Sequence, residues 1–339
     1  MTAAHFHRPF FRLAALALLA SARVHAEPFA ELAAFSTLKD VTLESLAKNP
    51  VKTGRGPALS SARGLAVESC YLVRKPLAKT VELHQQWSPT RHSELKVWLH
   101  GDLSAHPAPA EFAKIASAPG NGSVKAFVSA TQKLATSGAG LQMSAAEAKA
   151  FSGSDAGGAM TPGLAGLWGN LLHQRAQAYL SGGLGRLPAY ETGGETVRAA
   201  DEVARLLKDA PKWSSQFSAL IGPGGGKGSA SPYWELFDVE GEAALSLGAS
   251  YSKHGADTAQ AVDVQYYSSG GYYVLLTFYQ MWPVKIAGQD ATLVWRGDLI
   301  SAASLATLHG VERMGSSTAM MQETKKTIGC LLRDAGGTN

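Results

Sequence analysis

Apolar residues repeat along this chain with two different periods, and the change of period divides it. In the middle they recur every three or four positions. Leu164, Leu167, Trp168, Leu171, Leu172 and Tyr179 mark one amphipathic helix, and Val197, Ala200, Val203 and Leu207 mark a second. Ser144 and Glu147 have capping-box spacing, in which each side chain serves the other residue's backbone N–H. After residue 231 the pattern changes. Pro232–Tyr251, Ala261–Tyr267, Tyr272–Trp282 and Ala291–Leu299 read as strands separated by Gly- and Ser-rich turns, an antiparallel meander. A terminal helix follows, with Val311, Met314, Thr318, Met321, Ile328 and Leu332 as a narrow apolar stripe.

The first hundred residues are mixed. Leu38, Leu43 and Leu46 suggest a short helix, and residues 67–75 and 95–99 suggest strands. Leu77, Val81, His84 and Trp87 follow helical spacing after Pro76. Asn121-Gly122 reads as a turn before a strand at 124–129. The class is therefore α+β: a helical middle region plus a C-terminal antiparallel sheet covered by a long terminal helix. In outline this resembles helix-grip folds, where a curved sheet wraps such a helix around a cavity; the likeness is one of topology and implies no activity. Residues 27–339 read as a single domain. Residues 222–231 form a flexible Gly-rich loop, and 232–334 a sheet-plus-helix unit.

Residues 1–26 change the reading of the charge. Arg8 and Arg12 precede the apolar run Leu13–Ala20, and Val24-His25-Ala26 supplies small residues for cleavage, so this segment reads as a signal peptide. Eight apolar residues are too few to span a bilayer, which takes about 20. Of the 339 residues, 31 are Lys or Arg and 27 are Asp or Glu, a net charge of +4. Removing Arg8, Arg12 and Arg23 leaves 28 basic residues against 27 acidic ones. The processed chain carries no field that would attract nucleic acid, and no membrane span is expected. Export, to a periplasm or beyond the cell, also permits a disulfide between Cys70 and Cys330, the two cysteines of the chain.

Several motifs fail on spacing. Lys227 lies in a Gly-rich loop, but Ile221 and Gly228 stand where a phosphate-binding loop needs Gly and Ser or Thr. Ser36-Thr37-Leu38-Lys39 and Lys52-Thr53-Gly54 spell two boxes of penicillin-recognising enzymes, but too close together. Gly248-Ala249-Ser250-Tyr251-Ser252 lacks the second Gly of a nucleophile elbow. Arg296-Gly297-Asp298 reads as a turn at a strand end. His84, His92, His100 and His106 fall close together, with Glu82, Glu94 and Asp102 among them. No pair has the spacing that puts two ligands on one face, so no metal site and no cofactor is expected.

Two candidate sites remain. Asp238, Glu240 and Glu242 alternate and would share one face of a strand, as carboxylates for acid–base hydrolysis; Asp263 could join them from a neighbouring strand. The run from Tyr266 to Trp282 is rich in aromatics. Adjacent pairs would point to opposite faces, so one set should line a second surface. Tyr267, Tyr273, Phe278 and Trp282, with Met314 and Met321 of the terminal helix, are the expected lining of a cavity. The expected function is binding of a small apolar or amphipathic molecule without catalysis. The alternatives are a secreted hydrolase built on the acidic strand and an envelope-associated assembly protein.

Overall fold

A computed structural model describes residues 28–137, 140–151, 158–191, 195–255 and 257–336. The expected signal peptide lies outside the described residues. The helices are α1 (Pro28–Phe35), α2 (Leu43–Lys48), α3 (Leu77–Gln86), α4 (Gly122–Ser137), α5 (Ala145–Ala150), α6 (Pro162–Gly182), α7 (Ala199–Asp209), α8 (Pro211–Gln216) and α9 (Gly310–Asp334). The strands are β1 (Val51–Arg55), β2 (Gly64–Val73), β3 (Val97–Asp102), β4 (Ile221–Gly222), β5 (Gly225–Gly226), β6 (Ser231–Val239), β7 (Glu242–His254), β8 (Ala259–Ser268), β9 (Val274–Ile286) and β10 (Gln289–Ser301). The architecture is α+β.

One eight-stranded sheet organises the chain, in the order β1-β2-β10-β9-β8-β7-β6-β3, with every neighbouring pair antiparallel. The meander β6–β10 is the expected C-terminal part. Three more strands come from the first 102 residues, β1 and β2 on one side and β3 on the other, so residues 232–334 share their sheet with the N-terminal region. The expected loop at 222–231 begins instead as a tight hairpin of β4 and β5.

Strand side chains alternate between faces, and here both faces are covered. The inner face meets α4, α6, α7 and α8 in the main core. Cys70 and Leu72 of β2, Trp295 of β10 and Phe278 of β9 point there. The outer face meets α3 and α9. Tyr71 and Val73 of β2, Val294 of β10 and Met281 of β9 pack there with Ile328 and Leu331 of α9. Burial on both sides explains why β2 is buried at all ten positions, with the near-continuous apolar run that such strands need.

The same alternation excludes the Cys70–Cys330 bridge. Cys70 faces the inner core, while Cys330 lies on α9, across the sheet; both are free thiols. Buried Glu68 shares the inner face of β2 with Cys70 and ties the N-terminal segment to the sheet. It accepts from Ser36 Oγ at 2.6 Å, Thr37 N at 2.7 Å, Trp295 Nε1 at 2.8 Å and the Thr37 hydroxyl. Ser36 and Thr37, read above as part of an enzyme box, are structural here.

Three local expectations change. Residues 124–129 are helical, within α4, because Asn121 is an N-cap: its Oδ1 accepts from Val124 N at 2.9 Å. Arg296-Gly297-Asp298 lies inside β10. Arg296 and Asp298, two residues apart, project to one side and pair at 2.8 Å. The buried residues of α9 are Ser317, Thr324, Ile328, Cys330 and Leu331, with Val311 and Met314 exposed, so the helix is turned relative to its expected stripe. Arg313 sets this rotation near its N-terminus by donating to the carbonyls of Ala62 at 2.7 Å, Leu305 at 3.2 Å, Ser61 at 3.4 Å and Gly64. The Ser144–Glu147 capping box forms as expected, and Glu147 also forks onto buried Arg175 of α6, Oε1 to Nε at 2.7 Å and Oε2 to Nη2 at 2.6 Å.

Two measurements check this arrangement. Protein unfolded without reductant reacts at two thiols with a disulfide reagent, whereas a bridged protein would react at none. Glu68→Ala leaves the Trp295 and Thr37 donors unpaired in the core and lowers unfolding free energy by about 3 kcal/mol in urea titration.

Candidate functional site

The aromatic residues expected to line a cavity all lie on the inner face. Tyr267, Tyr273, Phe278 and Trp282 belong to the main core and are at most 8% exposed. Phe278 packs on Trp213 and Phe217, and Trp282 donates to Glu31 Oε2 at 2.8 Å. Tyr267 covers the Arg175 guanidinium at 4.4 Å, and Tyr273 stacks on Tyr190. A bulge explains part of this. Pairing of β7 with β8 shifts between Leu247 and Gly248, so that Leu247 opposes Tyr267 and Gly248 opposes Gln265. Tyr266 is the extra residue, and it and Tyr267 both enter the main core instead of opposite faces. Tyr266 stacks on Tyr179 at 3.8 Å. Met314 is exposed on α9 and Met321 half-buried, so the structure does not bring them to the four aromatics.

The three alternating carboxylates do not share a strand. β6 ends at Val239 and β7 begins at Glu242, leaving Glu240-Gly241 as a two-residue hairpin turn. Both turn residues have positive φ, 54° and 92°, the conformation that this turn type requires. Asp238 accepts from Ser123, Lys96 and the N–H of Gly241, which hold its carboxyl below its usual pKa against the effect of burial. Glu242 is exposed.

Asp263 is different. It lies on the outer face in the middle of the sheet, in a row of polar residues set by register: Ser250 of β7 opposes Asp263 of β8, Asp263 opposes Thr277 of β9, and Thr277 opposes Asp298 of β10. Thr277 donates to Asp298 at 2.8 Å, and Asp298 holds Arg296, whose guanidinium lies 5.6 Å from the Tyr279 ring centre. Asp263 receives Tyr233 Oη at 2.7 Å on one oxygen and Ser250 Oγ on the other. Tyr233 accepts from Gln265 Nε2 at 3.2 Å, and Gln265 Oε1 accepts from Tyr272 Oη. Every donor in the chain Tyr272–Gln265–Tyr233 thus points toward Asp263, and such aligned bonds polarise one another.

Tyr233 reaches Asp263 because Gly248 has no side chain. A Cβ there would meet the Tyr233 ring at 2.3 Å. Gly248 and Ser250, read above as a failed nucleophile elbow, are two outer-face residues of β7 that build this site. Beyond Tyr233, His100 of β3 stacks on its ring at 5.5 Å. The imidazole bonds Glu235 Oε1 through Nδ1 and Asp102 Oδ1 through Nε2, each at 3.1 Å. Burial opposes a charged ring, but the two carboxylates outweigh it and raise the His100 pKa.

Burial raises the Asp263 pKa to about 6; the Ser250 and Tyr233 hydrogen bonds work against this, and the Glu235 charge reinforces it. Tyr233, Asp263 and Gln265 nevertheless keep a minor part of their surface in contact with solvent. Beside them lies an apolar patch of Phe237, Leu275 and Ile300 that includes Met320 of α9. The site can therefore offer a titrating carboxyl and hydrogen-bonding groups next to apolar surface. A second feature, a groove of about 460 Å³ between Phe29, Leu43 and Val284, has a Lys285–Asp290 pair among its lining residues and no convergent set of polar groups. The local sequence signal for the Asp263 site was the alternation of Asp263 and Gln265 with Val262 and Val264; its partners come from elsewhere in the chain.

The proton linkage of Asp263 is measurable. The folded state holds the proton up to about pH 6, whereas the unfolded chain releases it near pH ~3.9. Folded protein binds more protons in that window, so stability falls as pH rises through it, by on the order of 2–3 kcal/mol, and the loss is complete above the folded pKa. Carbon-detected NMR titration should give a midpoint near 6 for Asp263, and Asp263→Asn should remove this part of the stability slope.

No family model matches this chain, and no curated protein or solved structure is significantly similar to it.

Proposed function

We propose that the protein binds a small amphipathic molecule on the outer face of the sheet, with a polar head at Asp263 and an apolar part toward α9. One observation carries this reading. A polar network at mid-sheet that keeps partial contact with solvent adjoins the half-buried apolar patch of Phe237, Leu275, Ile300 and Met320. Ligand sites commonly join apolar surface to a few convergent polar groups. The charge balance narrows the class. Arg296 is offset by Asp298, and His100 offers at most one positive charge against the two carboxylates of Glu235 and Asp102, so these groups together with Asp263 carry excess negative charge. The head group is thus cationic or a neutral donor, not an anion. The export signal read in residues 1–26 supports action in the periplasm or outside the cell. Among the described residues no helix is long and apolar enough to cross a membrane.

A second reading is hydrolysis, favoured by the pKa of about 6 at Asp263, near which a carboxyl can act as a general acid. It moves the acid–base role from the expected Asp238, Glu240 and Glu242 to Asp263. Turnover of chromogenic glycosides or esters that disappears in Asp263→Asn would favour it over binding alone.

Calorimetric titration with a long-chain alkylamine and with a fatty acid of equal length tests the binding reading. The amine should bind more tightly at pH 7.5 than at pH 5, and Asp263→Asn should weaken it about tenfold, which is roughly 1.4 kcal/mol. Equal affinity for amine and acid, or an unchanged Asp263→Asn affinity, would sink the idea.

A further inference from the structure

We propose that His92, Glu94 and Cys330 form a binding site for a divalent metal of the zinc class, joining the end of α9 to the segment between α3 and β3. The proposal is independent of the outer-face ligand reading. Pro89–Arg91 and Ser93–Leu95 form two short 3-10 turns, with His92 in extended conformation between them and Glu94 in the second; Cys330 comes from the last two turns of α9. One ligand atom from each of the three lies within 4.8 Å of the other two. His92 Nδ1 is 3.9 Å from Glu94 Oε1, and Glu94 Oε1 is 3.4 Å from Cys330 Sγ. With Zn–N and Zn–O near 2.0–2.1 Å and Zn–S near 2.3 Å, a tetrahedral site has edges of about 3.3–3.8 Å. The two edges at Glu94 are close to those separations, and the third, between His92 and Cys330, is within 4.8 Å, so side-chain rotation would close the triangle.

The surroundings of His92 supply a second observation. Its Nε2 faces Asp334 Oδ2 at 2.9 Å. With Nε2–H donating to that carboxylate, Nδ1 is the unprotonated nitrogen, and it lies on the Glu94 side at 3.9 Å. A carboxylate behind the imidazole is the usual way in which a metal-bound histidine is oriented. Asp334 is itself held by Trp87 Nε1 at 2.9 Å, and the Trp87 ring stacks on His92 at 5.9 Å. Cys330 and Asp334 are four residues apart on α9, so one helix face presents both the thiol and the carboxylate that orients the histidine.

A cation already stands at this point. Arg333 Nη2 donates to Glu94 Oε1 and lies 3.2 Å from Cys330 Sγ, covering the thiol. Its side chain is 47% exposed and can turn to solvent when a metal takes its place. Binding releases the Cys330 thiol proton to solvent; thiolate and carboxylate together then balance the charge of the ion. A nitrogen, a sulfur and an oxygen suit zinc better than magnesium or calcium, which prefer all-oxygen ligands. The three protein ligands leave a fourth position for water.

The test titrates the full chain with cobalt(II), which reports thiolate ligation by a sulfur-to-metal charge-transfer band, and then displaces it with zinc. One equivalent of cobalt should produce the band, and zinc should remove it. Cys330→Ser should abolish the band, and Asp334→Asn should weaken binding about 10–100-fold. Arg333→Gln should strengthen binding by removing the competing cation, which keeps the test valid even if Cys330→Ser does not fold. Absence of the band in the wild-type chain, or a cobalt affinity unchanged in Cys330→Ser, would overturn the proposal.

Discussion

The fold depends on a sheet that is covered on both faces. In such a sheet each strand position belongs to one face or the other, and the choice cannot be shared. β2 shows the consequence in consecutive residues: Cys70 and Leu72 enter the helical core, while Tyr71 and Val73 meet α9. A thiol on one face and a thiol on the helix across the sheet cannot meet, however favourable the compartment is to oxidation. Glu68 is tolerated at the inner face because Ser36, Thr37 and Trp295 satisfy it completely. A buried carboxylate without those donors would be strongly destabilising.

The two faces differ in chemistry. The inner face is mostly apolar and aromatic, with Glu68 as a satisfied exception, and is sealed by helices and by the Arg175–Glu147 pair, with Arg175 against the Tyr190 and Tyr267 rings. The outer face is mixed. α3 and α9 cover its β1–β2–β10 side, while Tyr233, Asp263 and Gln265 keep partial contact with solvent. Polar residues survive there because register lines them up across four strands, so that each finds a hydrogen-bond partner on its neighbour. Gly248 adds the space that lets Tyr233 lie across the sheet. α9 is held near both ends by side chains: Arg313 binds backbone carbonyls near the start, and Asp334 binds Trp87 and His92 at the finish.

The elements with strong local signals were legible. Helical periodicity marked α6 and α7, the Ser144–Glu147 box marked the start of α5, and alternation with Gly-rich turns marked the meander. Weak signals failed where one residue has two meanings. Asn121 can open a turn or cap a helix, and the apolar positions that follow it suit either. Glu240-Gly241 continues an alternating pattern yet forms a hairpin turn, because both residues take positive φ. The bulge at Tyr266 is one extra residue, invisible to a strict period of two, and it turns an expected outward aromatic into a core one.

By itself the sequence determined the class of fold, most of the elements and a nearly neutral charge balance after residue 26. These follow from local propensity and from periodicity, which neighbouring residues carry between them. Only the tertiary structure decided which face each residue serves, because that depends on register between strands far apart in the chain. Asp263 could be noticed as an acidic residue near a strand, but its partners are set by pairing with β7 and β9 and by Tyr233 reaching over Gly248. His92 and Glu94 lacked ligand spacing on their own. The third donor, Cys330, lies 236 residues beyond Glu94 and is delivered by the docking of α9.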